Sequence, residues 1–166
     1  MAIVPTRTTV ARGVVGTWAN MEEDNARTGF AGAEFAAGVP VMRGTGDMVY
    51  VPLEDGGRFA GIALRTVDMD GTPTADGEAT FRVGQMFGIA DMGTVYVLAG
   101  DDVTEGANVF YDPATRKYHG SSFAGLLPLA GCEFDETAAD GEPVALRIRL
   151  TPGAAPVAAE TVAEEE

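Results

Sequence analysis

The chain has 166 residues, 46% of them hydrophobic, and a formal charge of −14 from 25 acidic and 11 basic side chains. That apolar share suits one globular domain and argues against disorder throughout, while the acidic surface disfavours direct nucleic-acid binding. A single cysteine, Cys132, excludes an internal disulfide and a cysteine-rich metal site, and its apolar surroundings read as those of an inert buried thiol. The 22 glycines and 9 prolines are spread between short apolar runs, which predicts many turns and short strands, an all-β domain. No stretch has the apolar core of a signal peptide or approaches the roughly 20 residues of a membrane helix, so folding in a cytoplasm and no membrane partner are expected.

Residues 1–21 carry Arg7 and Arg12 and no acid, with Ile3, Val4, Val10, Val14, Val15 and Trp18 apolar and Pro5 and Gly13 breaking any long helix. They read either as a first strand or as an extended arm lying on a partner. Fixing roughly 20 residues costs about 20–40 kcal/mol of backbone entropy. Offsetting the upper figure takes roughly 1,600 Å² of apolar burial, which an assembly supplies more readily than an isolated acidic domain. The arm is therefore the favoured reading, with Ile3, Val4, Arg7, Val10, Arg12, Val14 and Trp18 as interface candidates. The expected organisation is an arm and joint over 1–28, a β domain over 29–151 and an acidic Ala/Glu/Pro tail over 152–166.

Met21–Thr28 is a polar joint. Strands follow at 30–38, 39–43, 48–52 and 59–65, with turn chemistry at Gly44, Gly46, Asp47 and the run E-D-G-G at 54–57. Val49, Val51 and Leu53 recur at period two and should share a face. The loop at 67–79 superficially resembles a calcium loop. With Gly71 sixth, Asp68 and Asp70 fall third and fifth, but Thr66 stands first and Gly77 twelfth, so the charged first ligand and the closing glutamate are missing. Strands resume over 80–89 and 93–99. Both faces of the second are apolar, which predicts cover on both sides. Tyr118 and His119 follow a turn at 113–117, and His119 reads as an ordinary loop residue. In the last strand, 144–150, Val144, Leu146, Ile148 and Leu150 share one face. Arg147 and Arg149 lie on the other, open either to a partner's carboxylates or to a cross-strand acid of the same chain.

Two phrases occur twice. Phe35–Gly44, F-A-A-G-V-P-V-M-R-G, matches the device of Asp102–Asp112, D-V-T-E-G-A-N-V-F-Y-D, in which a glycine turn launches a β-branched and aromatic strand. Phe59–Leu64, F-A-G-I-A-L, matches Leu129–Phe134, L-A-G-C-E-F. The separations nearly agree, 23 residues from Gly38 to Gly61 and 25 from Gly106 to Gly131. Two related β units in one sheet-rich domain are expected, not a solenoid.

The chain carries no G-x-S-x-G elbow, no H-E-x-x-H and no P-loop, and it has one histidine and one lysine. No catalytic, cofactor or metal residues are assigned, and no enzymatic activity is expected.

The run from Gly38 to Leu150 resembles the structural cement, or capsid decoration, proteins of tailed bacteriophages. Its marks are A-A-G-V-P-V-M-R-G at 36–44, F-A-G-I-A-L-R at 59–65, G-T-V-Y-V at 93–97, V-T-E-G-A-N-V-F-Y-D at 103–112, L-P-L-A-G-C-E-F at 127–134 and G-E-P-V-A-L-R-I-R-L at 141–150. The resemblance implies a β-sandwich or barrel that oligomerises, a homotrimer before a homodimer. It implies binding to the outer surface of the virion head, bridging major capsid protein subunits, with no catalytic residue to carry over. The N-terminal stretch and the Glu-rich tail are where this chain departs from the shared core. A β-rich receptor- or carbohydrate-binding module is the alternative, with Trp18, Tyr50, Tyr96, Tyr111 and Tyr118 as its aromatics.

Overall fold

The computed structural model describes residues 13–20, 22–67, 69 and 79–161. Among them there is no helix. The strands are β1 (Asn25–Ala31), β2 (Phe35–Ala36), β3 (Pro40–Arg43), β4 (Val49–Pro52), β5 (Phe59–Leu64), β6 (Thr80–Phe81), β7 (Met86–Leu98), β8 (Asn108–Asp112), β9 (Lys117–His119), β10 (Leu127–Phe134) and β11 (Pro143–Arg149).

The pairings close two successive rings. In the first, β1 runs parallel to β4, then β4–β3, β3–β5, β5–β7 and β7–β1 are all antiparallel. In the second, β7 pairs β11, β11 pairs β10, β10 pairs β8 and β8 pairs β9, again antiparallel. A parallel bridge from Tyr118 to Ala99, just past the end of β7, closes it. The 13-residue β7 thus ends one ring and begins the other.

The duplication extends to single hydrogen bonds. Gly38 N donates to Ala63 O at 2.8 Å, and Gly106 N to Phe134 O at 2.7 Å. Gly32 N donates to Tyr50 O as Gly100 N does to Tyr118 O, and Gly84 N to Ala31 O as Gly141 N does to Ala99 O. The β3–β4 and β8–β9 hairpins each hold one non-glycine residue in the left-handed region, Met48 at φ 59° and Arg116 at φ 60°. The bridge β2–β6 in the first ring has its counterpart in Val103↔Ala138 in the second. Gly38 and Gly106 sit at φ 79° and 78°, the left-handed turn that glycine adopts without steric cost.

Each ring has its own aromatic filling. Phe35, Phe81 and Phe87 stack at centroid distances of 4.9–5.4 Å in the first, and Tyr111 and Tyr118 lie 5.1 Å apart in the second. Buried Tyr118 also reaches across the rings, donating from Oη to Gly38 O at 2.6 Å. Tyr50, not Val49 or Val51, is the β4 side chain that enters the core, because Gly29 on β1 leaves room for its ring. On β11, Val144, Leu146 and Ile148 are buried as the period-two pattern requires.

Several boundaries differ from the sequence reading. The polar joint becomes strand from Asn25 onward, because pairing with β7 outweighs its polarity. The runs 80–89 and 93–99 resolve into short β6 and continuous β7, in which Gly93 takes φ 118° where Trp18 and Asp24 pack closely. His119 is not a loop residue. It lies in β9, nine-tenths buried, with Nδ1 3.4 Å from Asp101 Oδ2 and its ring edge-on to Phe123. Residues 68 and 70–78, where the calcium-like loop falls, lie outside the described residues.

Gly61 (φ 140°) brings β5 against β7, and a methyl group there would run into the Ala90 carbonyl oxygen. Gly61→Ala is therefore expected to cost about 3 kcal/mol or more. Gly106→Ala, with open space around the added carbon, should cost only the left-handed penalty of about 1–2 kcal/mol. Thermal melts of the two variants check the order. Tyr118→Phe leaves the buried Gly38 carbonyl without this donor and should lower stability by about 1–3 kcal/mol in urea titration. Burial pushes the Tyr111 and Tyr118 phenols well above their ordinary value of 10.0, so above that value the unfolded chain binds fewer protons than the folded one. Stability should hold up to about pH 9 and fall as pH rises beyond about 10, read as a urea midpoint that is flat below that range and declines above it.

Candidate interaction surface

Of the residues singled out as contacts, Ile3, Val4, Arg7, Val10 and Arg12 lie outside the described residues. Val14 is 48% exposed, at the start of the described chain. Trp18 is half-buried on the protein's own sheet. It bridges Val95 and lies over Gly93, while Gly16 N donates to Tyr96 O and Ala19 N to Thr94 O, each at 2.8 Å. Residues 16–19 therefore extend β1 along β7, whose backbone would otherwise be unpaired on that edge.

Arg147 takes an acid of its own chain. Its Nη2 lies 2.9 Å from Asp135 Oδ1 and 3.4 Å from Glu22 Oε2. Arg149 is exposed at the end of β11 and makes no ion pair among the described residues. The two arginines, two positions apart on one strand, thus separate into an occupied and an available cation.

The tail is held to the body as far as Glu160. Val157 N donates to Gly57 O at 2.7 Å, Ala159 N to Asp55 Oδ1 at 2.7 Å and Glu160 N to Leu126 O at 2.8 Å. Residues 162–166, with three of the tail's glutamates, lie outside the described residues.

Two surface features were missed by the sequence reading. Phe30, Met48 and Met86 are 38%, 47% and 60% exposed and meet at one rim of the first ring, where Phe30 pairs directly with Met86 and its N–H donates to Met48 O. They belong to three strand ends, so no linear periodicity groups them. The second is a cleft of about 460 Å³ whose cations are Arg27, Arg43 and Arg58. Asp91 neutralises Arg27 at 2.9 Å, while Arg43 stands over the Tyr50 ring at 5.8 Å and Arg58 is exposed. Met42, Phe59 and Leu150 give it an apolar floor, and residues 150–154 form its far wall.

The aromatics expected of a saccharide groove are not gathered on the surface, since Tyr50, Tyr111 and Tyr118 are all at most 3% exposed. Cys132 is half-buried and burial pushes its thiol upward, away from the reactive thiolate. Among the described residues no three His, Cys, Asp or Glu side chains gather as metal ligands.

No curated protein matches the chain. A solved chain from the capsid of Myoviridae Phage XM1 shares its fold, with a TM-score of 0.67 and 19% identity over 85% of this chain and 92% of that one. The head fiber gp8.5 N base of bacteriophage phi29 aligns more loosely, at TM-score 0.48 and 14% identity over 76% of this chain and 94% of that one. The family model described as structural cement protein (E217 gp24/Pam3 gp6) matches residues 4–149. That span takes in both closed rings and, contrary to expectation, most of the N-terminal stretch, leaving residues 1–3 and 150–166 outside. A family match over that much of the sequence shows that the chain belongs to the structural cement proteins of phage capsids.

Proposed function

We propose that the chain binds the outer surface of the phage head as a homotrimer and bridges neighbouring major capsid protein subunits against internal DNA pressure. The family match over residues 4–149 carries this reading. A chain of the same fold in the capsid of Phage XM1 supports it. The chain acts by adhesion, without turnover. A rigid double ring suits the task, because a bridge resists strain only if its own body does not yield. Each contact can be modest when one oligomer engages several subunits, since later contacts form at high effective concentration. The charge of −14 makes basic capsid surfaces the expected seat for most of the body.

The anchor in this proposal is the stretch before the first ring, with Ile3, Val4, Arg7, Val10, Arg12 and Val14 on the capsid. Trp18 is committed to β7 and serves the fold, and Arg149 is the free cation of β11.

Sedimentation with expanded empty heads tests this. Wild-type protein should co-sediment to saturation, and deletion of residues 1–12 should weaken binding about tenfold or more while leaving the pairing of residues 16–19, and hence the circular-dichroism spectrum, intact. Full binding by the truncated chain would refute the anchor, and failure of the wild type to bind would refute the cement role proposed here. Analytical ultracentrifugation of the free protein should give three times the 17.2 kDa chain mass.

A further inference from the structure

The cleft of Arg27, Arg43 and Arg58 is a local reversal of sign on a strongly acidic molecule. Arg27 is spoken for: its Nε and Nη2 hold Asp91 Oδ2 at 3.2 and 2.9 Å, and Asn25 Nδ2 donates to Asp91 Oδ1 at 2.6 Å. That arrangement satisfies Asp91, the only acid among the described residues that line the cleft. Arg43 on β3 and Arg58 before β5 are exposed, and among the described residues neither has a carboxylate partner. Arg58 and Arg43, whose guanidinium lies over the Tyr50 ring at 5.8 Å, therefore line one cleft with Met42, Phe59 and Leu150 and have no acid to neutralise them among the described residues.

The cleft is built, not a chance gap between loops. Its far wall is tied at one end by Leu150 N donating to Asp91 O at 3.0 Å, and beyond the other by Val157 N donating to Gly57 O at 2.7 Å. The chemistry it can satisfy is one or two carboxylates held by planar donors, beside apolar side chains that cover the floor. A polyanion such as nucleic acid is disfavoured, because most of its charges would meet the surrounding acidic surface. A short peptide is not, since beyond a Debye length of about 8 Å at physiological salt that surface is screened.

We propose that this cleft is a carboxylate-binding seat for an acidic, partly apolar segment of the capsid protein on which the chain sits. The proposal rests on the cement reading and adds to it a second contact of opposite sign to the rest of the body.

The test compares wild type with Arg43→Ser/Arg58→Ser, two exposed positions whose loss should leave the melting temperature nearly unchanged; Arg58→Ser by itself serves if the double variant misfolds. An acetylated Glu-Leu-Glu-Glu peptide is titrated by NMR, and binding to expanded heads is measured by sedimentation. The peptide should shift the Met42 methyl and the Arg43 and Arg58 Nε–H signals, less so at high salt. The variant should lose these shifts and about tenfold of its head affinity. If wild type and variant bind heads equally, the seat is refuted while the cement reading stands. Peptide shifts absent from the cleft would also refute it. If the variant changes only self-association by sedimentation velocity, the occupant is a second copy and the proposal is overturned. Wild-type protein that ignores heads removes the capsid partner and the cement reading together.

Discussion

Everything in this fold depends on β7 being hydrogen-bonded along both edges. One edge takes β1 and residues 16–19; the other takes β5 and then β11. Ile89, Ala90, Val95 and Val97 on it are fully buried. Neither ring closes without this strand, so the two repeated units cannot come apart as independent domains. Closure also leaves few free edges for uncontrolled pairing, which matters for a protein that must adhere only where intended.

The duplication explains why so short a chain makes a stiff body. Each unit alone would offer a small core, and below about 70–80 residues a single core contributes little stability. Sharing β7 merges the Phe35–Phe81–Phe87 and Tyr111–Tyr118 clusters into one continuous core. The Tyr118–Gly38 hydrogen bond then ties the second unit to the turn that opens the first. Rigidity is thus built into the connection between units, where a bridging protein would be pulled.

At the periphery the chemistry differs from place to place. The body is acidic, the rim around Phe30, Met48 and Met86 is apolar, and the Arg43–Arg58 cleft is positive. In the proposed bridging role, each such patch would reject a wrong partner by leaving a charge unpaired or an apolar surface wet.

The sequence by itself determined the all-β class, the repeat and the β11 alternation. These are local signals: glycine turns at Gly38 and Gly106, β-branched runs, and a period of two. Tertiary structure decided what depends on residues far apart in the chain. Polar Asn25–Thr28 became strand because β7 offered an unpaired edge, and Trp18 was drawn onto Gly93 for the same reason. Arg147 found Asp135 and Glu22, while Arg149, two residues on, found no ion-pair partner among the described residues. No window of sequence shows which of two identical side chains on one face will meet an acid, or that Arg27, Arg43 and Arg58 share a cleft. Only ring closure brings residues of β1, β3 and the segment before β5 around one cleft.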